Sequence, residues 1–565
     1  MIFLSKKIKF LNKIVLGTVI FLFIIFFLLF QFIFPKNSKE TASLSVVIDG
    51  RQYDDIKNEK SLYSTGITSS LELNGIKCSY DKATKTFFYP INSELQGKSK
   101  KLNISFDEEE SLSVVFYKNA VTEDMVFKIE INSPYRFIVY NEKKYTEYKL
   151  VFTTLPTITI FTDKSKTISN NDTLTATEIH DPNYVVHKCK QLIQSVAYFH
   201  TRGGLSSAFE KKSYKMELKK EDSDDPEKVK KNNVSLLGLR KDGDWILDAM
   251  FIDPARMRNK LSTEIWDDLG ADSYPFGINN GAKGEYAEVF LNNSYLGLYV
   301  LLEPVDSLQL GINETDEKNG GLVIKTTSWE YTSMNEYEGA PSSKTWAGFE
   351  IRYPKEYEQT ENSAEKKITG KDWIPFYDLI QISADYDAED FSSAVENLIA
   401  LDNILDYSIF VNAICAVDNV GKNMFWTIPD RNINSKFWIT PWDLDLCWGI
   451  TWIDNPSMLF RTKDDDSVNH ILHFYFGEKV IASDVNGAKK KIKERWTELR
   501  KNIITTQVFN TRIDEIASLL TSSGAINREL KKWAPDIDFE EEVEYMKNWF
   551  KNRLPILDKY YRDID

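Results

Sequence analysis

Histidine and cysteine are scarce in this chain of 565 residues. There are five histidines, His180, His187, His200, His470 and His473, and four cysteines, Cys78, Cys189, Cys415 and Cys447. So few histidines argue against a Ser-His-Asp hydrolase and a His-rich metal site. No two cysteines form a C-x-x-C pair, which argues against a zinc site. Basic charge is also short: the net charge of −14 lacks the positive footprint of a nucleic-acid binder, so no nucleic acid is expected as a partner. No internal repeat stands out. Only one long apolar run exists.

That run covers residues 14–34 and carries no charge. About 20 apolar residues span a bilayer as a helix. Lys6, Lys7, Lys9 and Lys13 precede it, which predicts a cytoplasmic N-terminus over 1–13 and an exported body. A cleaved signal peptide is the alternative; the nearest small-residue stretch behind the run is Thr41-Ala42-Ser43. The expected localisation is the cell membrane, single-pass, with the soluble part extracytoplasmic.

The length requires two or three domains, and 42% hydrophobic with 13% aromatic residues suits large packed cores. Residues 44–150 read as a β-rich domain. Short β-branched and aromatic runs at 45–48, 86–89, 112–117, 125–131 and 148–153 are separated by turn residues. A small β-sandwich is the economical reading. From 155 to 565 the pattern is mixed. Strands are expected at 157–162, 213–218, 286–291 and 296–302. A helix is expected after Asp253, with Pro254 at its first position, ending near Gly270. Residues 220–233 read as a charged surface insertion, and the C-terminal part as helices over 489–503, 510–520 and 539–561.

The most informative stretch is Asp418-Asn419-Val420-Gly421-Lys422-Asn423, followed by Pro441-Trp442-Asp443-Leu444-Asp445. An acid, an amide at a fixed short offset and another acid beyond one hairpin match the residue types of protein-kinase-like phosphoryl-transfer sites. There the first Asp orients the nucleophile's proton, and the Asn and later Asp hold the metal on the ATP phosphates. The usual His-Arg before the first Asp and Phe-Gly after the last are absent. Asp443 and Asp445 share a face if the segment is extended, and two such carboxylates repel unless a cation lies between them. Mg²⁺ or Mn²⁺ fits; one functional Asp and one turn-capping Asp is the alternative. Cys415 and Cys447 flank these motifs, either as buried free thiols or as a disulfide.

Upstream, Arg202-Gly203-Gly204-Leu205-Ser206-Ser207 is a turn able to bring backbone N–H groups to a phosphate; an ordinary hairpin turn is the alternative. In the next strand, alternation puts Lys212 on the buried face with Tyr214, Met216 and Leu218, and turns Lys211 and Lys215 outward unless a bulge intervenes. A buried lysine needs an anion. Glu264, on the helix after Pro254, is the expected carboxylate partner, with an exposed surface acid as the alternative reading.

The runs Thr201–Leu218, Asp253–Leu261, Glu288–Glu303, Asp418–Asn423 and Pro441–Asp445, in this order, resemble the CotH kinase family, the spore coat protein H-like proteins. The resemblance covers roughly 155–560. It implies an α+β fold: an atypical protein-kinase-like two-lobed domain, here preceded by a transmembrane helix and a small β-sandwich-like domain. It implies transfer of the ATP γ-phosphate to Ser/Thr of a spore coat or cell-envelope protein, with a divalent metal. By motif, Asp418 becomes the catalytic Asp, Asp443 the metal Asp and Asn423 a second metal ligand, with Asp445 beside them. Lys212, Glu264, Arg202, Gly203 and Gly204 are assigned to the nucleotide from the residues themselves. The competing readings are a pseudokinase-like envelope scaffold and a metal-dependent hydrolase, the latter lacking the usual His ligands.

Overall fold

A computed structural model describes residues 43–44 and 50–565, apart from 107–111, 118–120, 123, 221–229, 271–272, 278–280, 317–319, 331–333, 338, 340, 342, 355–371 and 453–460. The chain divides into two compact units. The first comprises residues up to Ala249 with Glu285–Glu303 and Leu519–Pro535; the second comprises Met250–Gly284, Pro304–Ser518 and Asp536–Asp565.

The first unit opens with a mixed sheet. Its centre is the hairpin Pro134–Tyr140/Lys144–Thr153, antiparallel through Tyr140↔Tyr145, and Thr86–Pro90 runs parallel to the second strand. Aromatic residues fill its core: Phe87, Phe116, Phe127, Phe137, Tyr148 and Phe152 are all nearly inaccessible. The chain then forms a closed seven-stranded barrel from β1 (Thr157–Thr162), β2 (Thr173–His180), β3 (Leu192–Arg202), β4 (Ser213–Lys219), β5 (Asp244–Asp248), β6 (Gly284–Leu291) and β7 (Ser294–Leu302), ordered β1-β2-β3-β4-β5-β7-β6. Closure comes from a parallel pairing of β1 with β6, Thr157↔Glu288 to Ile160↔Leu291. A closed barrel leaves no sheet edge unpaired. Barrel and sheet are joined: Ser79 and Thr159 hydroxyls lie 2.8 Å apart, and Thr153 Oγ1 donates to Glu288 at 2.8 Å. The short helix Ala525–Trp533 returns to this unit and lies against β7.

The second unit holds most of the helices. Helix α1 (Arg258–Gly270) and helix α2 (Leu401–Ile414) pack together. Residues 403–414 of α2 are all buried, the polar Asn403, Asp406, Ser408 and Asn412 among them, so the helix runs through a core rather than along a surface. Beside them lies an antiparallel sheet of β8 (Leu322–Thr326), β9 (Thr345–Trp346), β10 (Phe349–Tyr353), β11 (Met424–Ile428) and β12 (Trp438–Pro441), ordered β9-β10-β8-β11-β12. Ala488–Asn502 and Phe539–Arg562 are long helices, and Trp496 and Trp549 on them are buried.

Two expectations are corrected here. Among the described residues no helix is long and apolar enough to cross a membrane, so the anchored, single-pass arrangement is not supported; the run 14–34 on which it rested lies outside the described residues, as do 45–48 and most of 220–233. The fold class also differs from a two-lobed kinase-like domain behind a membrane helix and a small sandwich. The structure has a seven-stranded barrel and mixed sheets, with helices mostly in the C-terminal region. The local strand pattern was legible, but barrel closure is a pairing between distant strands that alternation does not encode. A smaller correction concerns α1. It starts at Arg258, because Arg256 takes φ 54 and interrupts the helical run. Asp253 still caps it, accepting from Ala255, Met257 and Arg258 N–H at 2.9, 2.7 and 2.7 Å.

Candidate functional site

The hairpin β11–β12 sets the geometry of the acidic motifs. Met424 pairs with Pro441 at its open end, and one step further out Trp442 N–H donates to Asn423 C=O at 2.9 Å. The Asn419 side-chain amide ties the same point, donating to the carbonyls of Asn423 and Trp442, both at 2.9 Å. Val417 N–H donates to Leu446 O at 3.2 Å and Trp448 N–H to Ile414 O at 2.8 Å. The two acidic loops are thus stitched together by backbone bonds on both sides of Asp418.

Helix α2 delivers the chain to this point. It ends at Cys415 in the left-handed region and leads into the single 3-10 turn Val417–Val420 that carries Asp418. Asp418 is only 5% exposed. Its Oδ2 lies 2.9 Å from Lys422 Nζ, one turn on, and its Oδ1 accepts from the Trp452 indole N–H at 3.2 Å. The Tyr407 hydroxyl on α2 donates to Asn419 C=O at 2.6 Å and fixes the turn.

Asp443 is the opposite case. It is exposed, and its carboxylate has no partner among the described residues. Its φ of 58 is left-handed, which costs an L-residue roughly 1 kcal/mol. The flanking contacts impose it: Leu444 and Leu446 are buried, and Leu444 N–H is held by Asn259 Oδ1 of α1 at 3.0 Å. The segment is therefore not extended, and the shared face expected for Asp443 and Asp445 does not arise; Asp445 is half-buried with a partner of its own. Asn423 is half-buried at φ 57. Cys415 and Cys447 are free buried thiols, the first of the two readings.

The upstream residues gather in the first unit. Gly203 has φ 104, and a Cβ there would sit 1.9 Å from Ser206 Oγ, so the turn after β3 requires glycine. Gly203 and Gly204 are exposed, Arg202 half-buried. Lys212 Nζ donates to Ser207 C=O at 2.7 Å, placing the ammonium on that same turn. Glu264 lies in the second unit and is paired with Lys260 one turn away; Lys212 and Glu264 are each engaged within their own unit.

The fully buried lysine is Lys211. The strand begins only at Ser213, so the alternation does not extend back to it, and the outward orientation expected for Lys211 is corrected. Its Nζ donates to Ala249 O at 2.8 Å, Leu298 O at 2.5 Å and Glu529 Oε1 at 2.8 Å; lysine and glutamate side chains are both 0% exposed. An ammonium has three protons, and all three are used within the protein. The neighbouring Arg528 binds Glu288 through Nε at 2.8 Å and a second nitrogen at 2.9 Å. Buried arginines Arg256 and Arg258 serve structure as well: Arg258 pairs with Asp253 at 2.5 Å and donates to Cys447 O at 3.2 Å.

Asn419, Lys422, Trp452, Lys211 and Glu529 were missed as functional or supporting residues. Lys422 stands four residues after Asp418, a spacing that could have flagged it. Glu529 had no local indication: it is 318 positions from Lys211.

A buried acid, an amide and an exposed acid at one hairpin end offer oxygen donors of the kind a divalent cation and phosphate take. A family model described as CotH kinase protein matches residues 199–557, well over half the chain, and the chain belongs to that family. A search of the curated proteins finds no match. Membership marks the chain as a kinase at the family level, with ATP, a divalent metal and a protein substrate as its general associates.

Proposed function

We propose that this chain transfers the γ-phosphoryl group of ATP to a Ser or Thr hydroxyl of a protein, with spore coat proteins as the substrate class suggested by the family resemblance. The observation that carries the reading is Asp443: an unpaired, exposed carboxylate held in the left-handed region at the hairpin end that also bears Asn423 and the Asp418 turn. Strain of this kind persists where the surroundings impose it, and such sites concentrate at function. Asp443 and Asn423, with Asp445 beside them, would hold Mg²⁺ or Mn²⁺. The cation supplies charge neutralisation for the phosphates. Asp418 accepts the hydroxyl proton as the oxygen attacks the γ-phosphorus, and the bond to the β-phosphate oxygen breaks to release ADP. Lys422 orients Asp418 through the contact to its Oδ2. Lys212 and the Gly203-Gly204 turn are suited to phosphate oxygens.

The test is incorporation of labelled phosphate from ATP into an acceptor protein by the full chain with Mn²⁺ or Mg²⁺. Loss in both Asp418→Ala and Asp443→Ala is expected; unchanged incorporation in both would remove the mechanism. A second reading, a pseudokinase-like scaffold, is favoured by one observation: both oxygens of Asp418 are already engaged by Lys422 and Trp452. The absence of any ATP- and Mn²⁺-dependent rise in Tm would select it.

A further inference from the structure

We propose that Asp181, His187 and Cys189 form a zinc site in the connection between β2 and β3. All three precede the span matched by the family model, so the site is separate from the phosphotransfer reading. His180 pairs with Leu192 where β2 ends and β3 begins, and Asp181 N–H donates to Gln191 O at 2.9 Å. Between them the chain makes one helical turn, Tyr184–His187, and reverses at Lys188 with φ 53. Cys189 N–H then donates back to Tyr184 O at 3.1 Å. This reversal sets His187 and Cys189, on either side of Lys188, against Asp181.

The donor atoms converge. Asp181 Oδ2 lies 2.7 Å from His187 Nδ1 and 3.1 Å from Cys189 Sγ, while Oδ1 accepts Asn183 N–H at 2.8 Å and fixes the carboxylate. The imidazole rests on Gly238, whose φ is 83 and whose absent Cβ would lie 3.1 Å from the ring. Asp181 is buried. Among the described residues this is the one group of three such side chains whose ligand atoms all lie within 4.8 Å of one another; the carboxylates of Asp418, Asp443 and Asp445 do not form such a group.

The donor set selects the metal. One nitrogen, one sulfur and one carboxylate oxygen suit zinc, whereas Mg²⁺ prefers oxygen alone. Zinc bonds of about 2.0–2.3 Å hold ligand atoms on the order of 3.5 Å apart, so side chains need only spread slightly. Binding replaces the S–H bond with an S–Zn bond and releases that proton to solvent. Three protein ligands leave the fourth position for water. The scarcity of cysteine, and the lack of a C-x-x-C pair, hid a site built on only one.

The test uses the full chain, stripped by chelator and titrated with Co²⁺. One equivalent is expected to give a thiolate-to-cobalt charge-transfer absorption that Zn²⁺ abolishes. Co²⁺ on the oxygen donors around Asp443 gives no such band. Cys189→Ser should eliminate the band, and His187→Ala should weaken zinc binding at least about tenfold, with the metal-free Tm of each close to wild type. If Cys189→Ser fails to fold, His187→Ala decides. No band in the folded wild type, a band that survives Cys189→Ser, or zinc binding indifferent to His187→Ala would mean that the three side chains form only a hydrogen-bonded loop.

Discussion

Removing one member of the Lys211–Glu529 pair tests whether the buried ammonium is a structural pin. Lys211→Met removes the ammonium that pairs with a carboxylate of 0% side-chain exposure, and takes a donor from Ala249 O and Leu298 O. Glu529→Gln leaves the ammonium buried without its counter-charge. Breaking a buried pair from one side costs about 3–5 kcal/mol, a large part of a domain stability of roughly 5–15 kcal/mol. The double variant has no uncompensated charge, and the amide introduced by Glu529→Gln retains an oxygen for Leu298 N–H, which Glu529 Oε2 now accepts at 2.9 Å. It should therefore recover at least about 2 kcal/mol relative to the sum of the single changes. Urea denaturation of wild type, both singles and the double closes the cycle. Additive losses, with a coupling below about 0.5 kcal/mol, would refute the pin. The double variant has a second use. With all three ammonium protons spent inside the protein, its KM for ATP should stay within a few-fold of wild type. A folded double variant that no longer binds ATP would instead make Lys211 a phosphate ligand and overturn the reasoning.

Asp418→Asn should lower phosphotransfer by about 10²–10⁴-fold in a protein that still folds, with a loss of stability above the roughly 1 kcal/mol of an exposed pair, because the side chains of Lys422 and Asp418 are only 21% and 7% exposed. A comparable rate would show that Asp418 handles no proton. Asp443→Gly should abolish metal-dependent activity yet raise stability by up to about 1 kcal/mol, since glycine adopts φ 58 freely; a destabilised protein would show that the carboxylate has a structural partner. Lys212→Ala should raise KM for ATP about 10–100-fold with little change in kcat, the size of a charge-assisted hydrogen bond, and an unchanged KM would show that Lys212 binds no phosphate. Asn419→Ala removes two bonds at 2.9 Å and should cost about 2–3 kcal/mol. It should also lower kcat although the side chain is a positioning residue; retained kcat in the folded variant would show that the stitching of the loops is dispensable.

What the sequence disclosed follows the range over which each feature is determined. The acid–amide–acid set was legible because one hairpin fixes it: Met424↔Pro441 pairing alone brings Asn423 and Trp442 together, and a turn's residue types record its chemistry. The strand over residues 157–162 and the helix Phe539–Arg562 were legible for the same reason. Orientation within the motif was not. Extended alternation put Asp443 and Asp445 on one face, yet burial of Leu444 and Leu446 won and forced Asp443 left-handed. Alternation likewise mistook Lys211 for an outward residue, since a period of two holds only inside the strand. The partner of that lysine lies on a nine-residue helix 318 positions later, and no local pattern names it. Barrel closure through Thr157↔Glu288 is of the same kind. Glu288 shows why these distant features belong together: the strand that closes the barrel also buries a carboxylate, and that carboxylate is met by Arg528, the residue beside Glu529. One short helix thus supplies the counter-charges for both Lys211 and Glu288. Truncating the chain before residue 519 should therefore expose two uncompensated ions in the first unit and leave its barrel unable to fold stably.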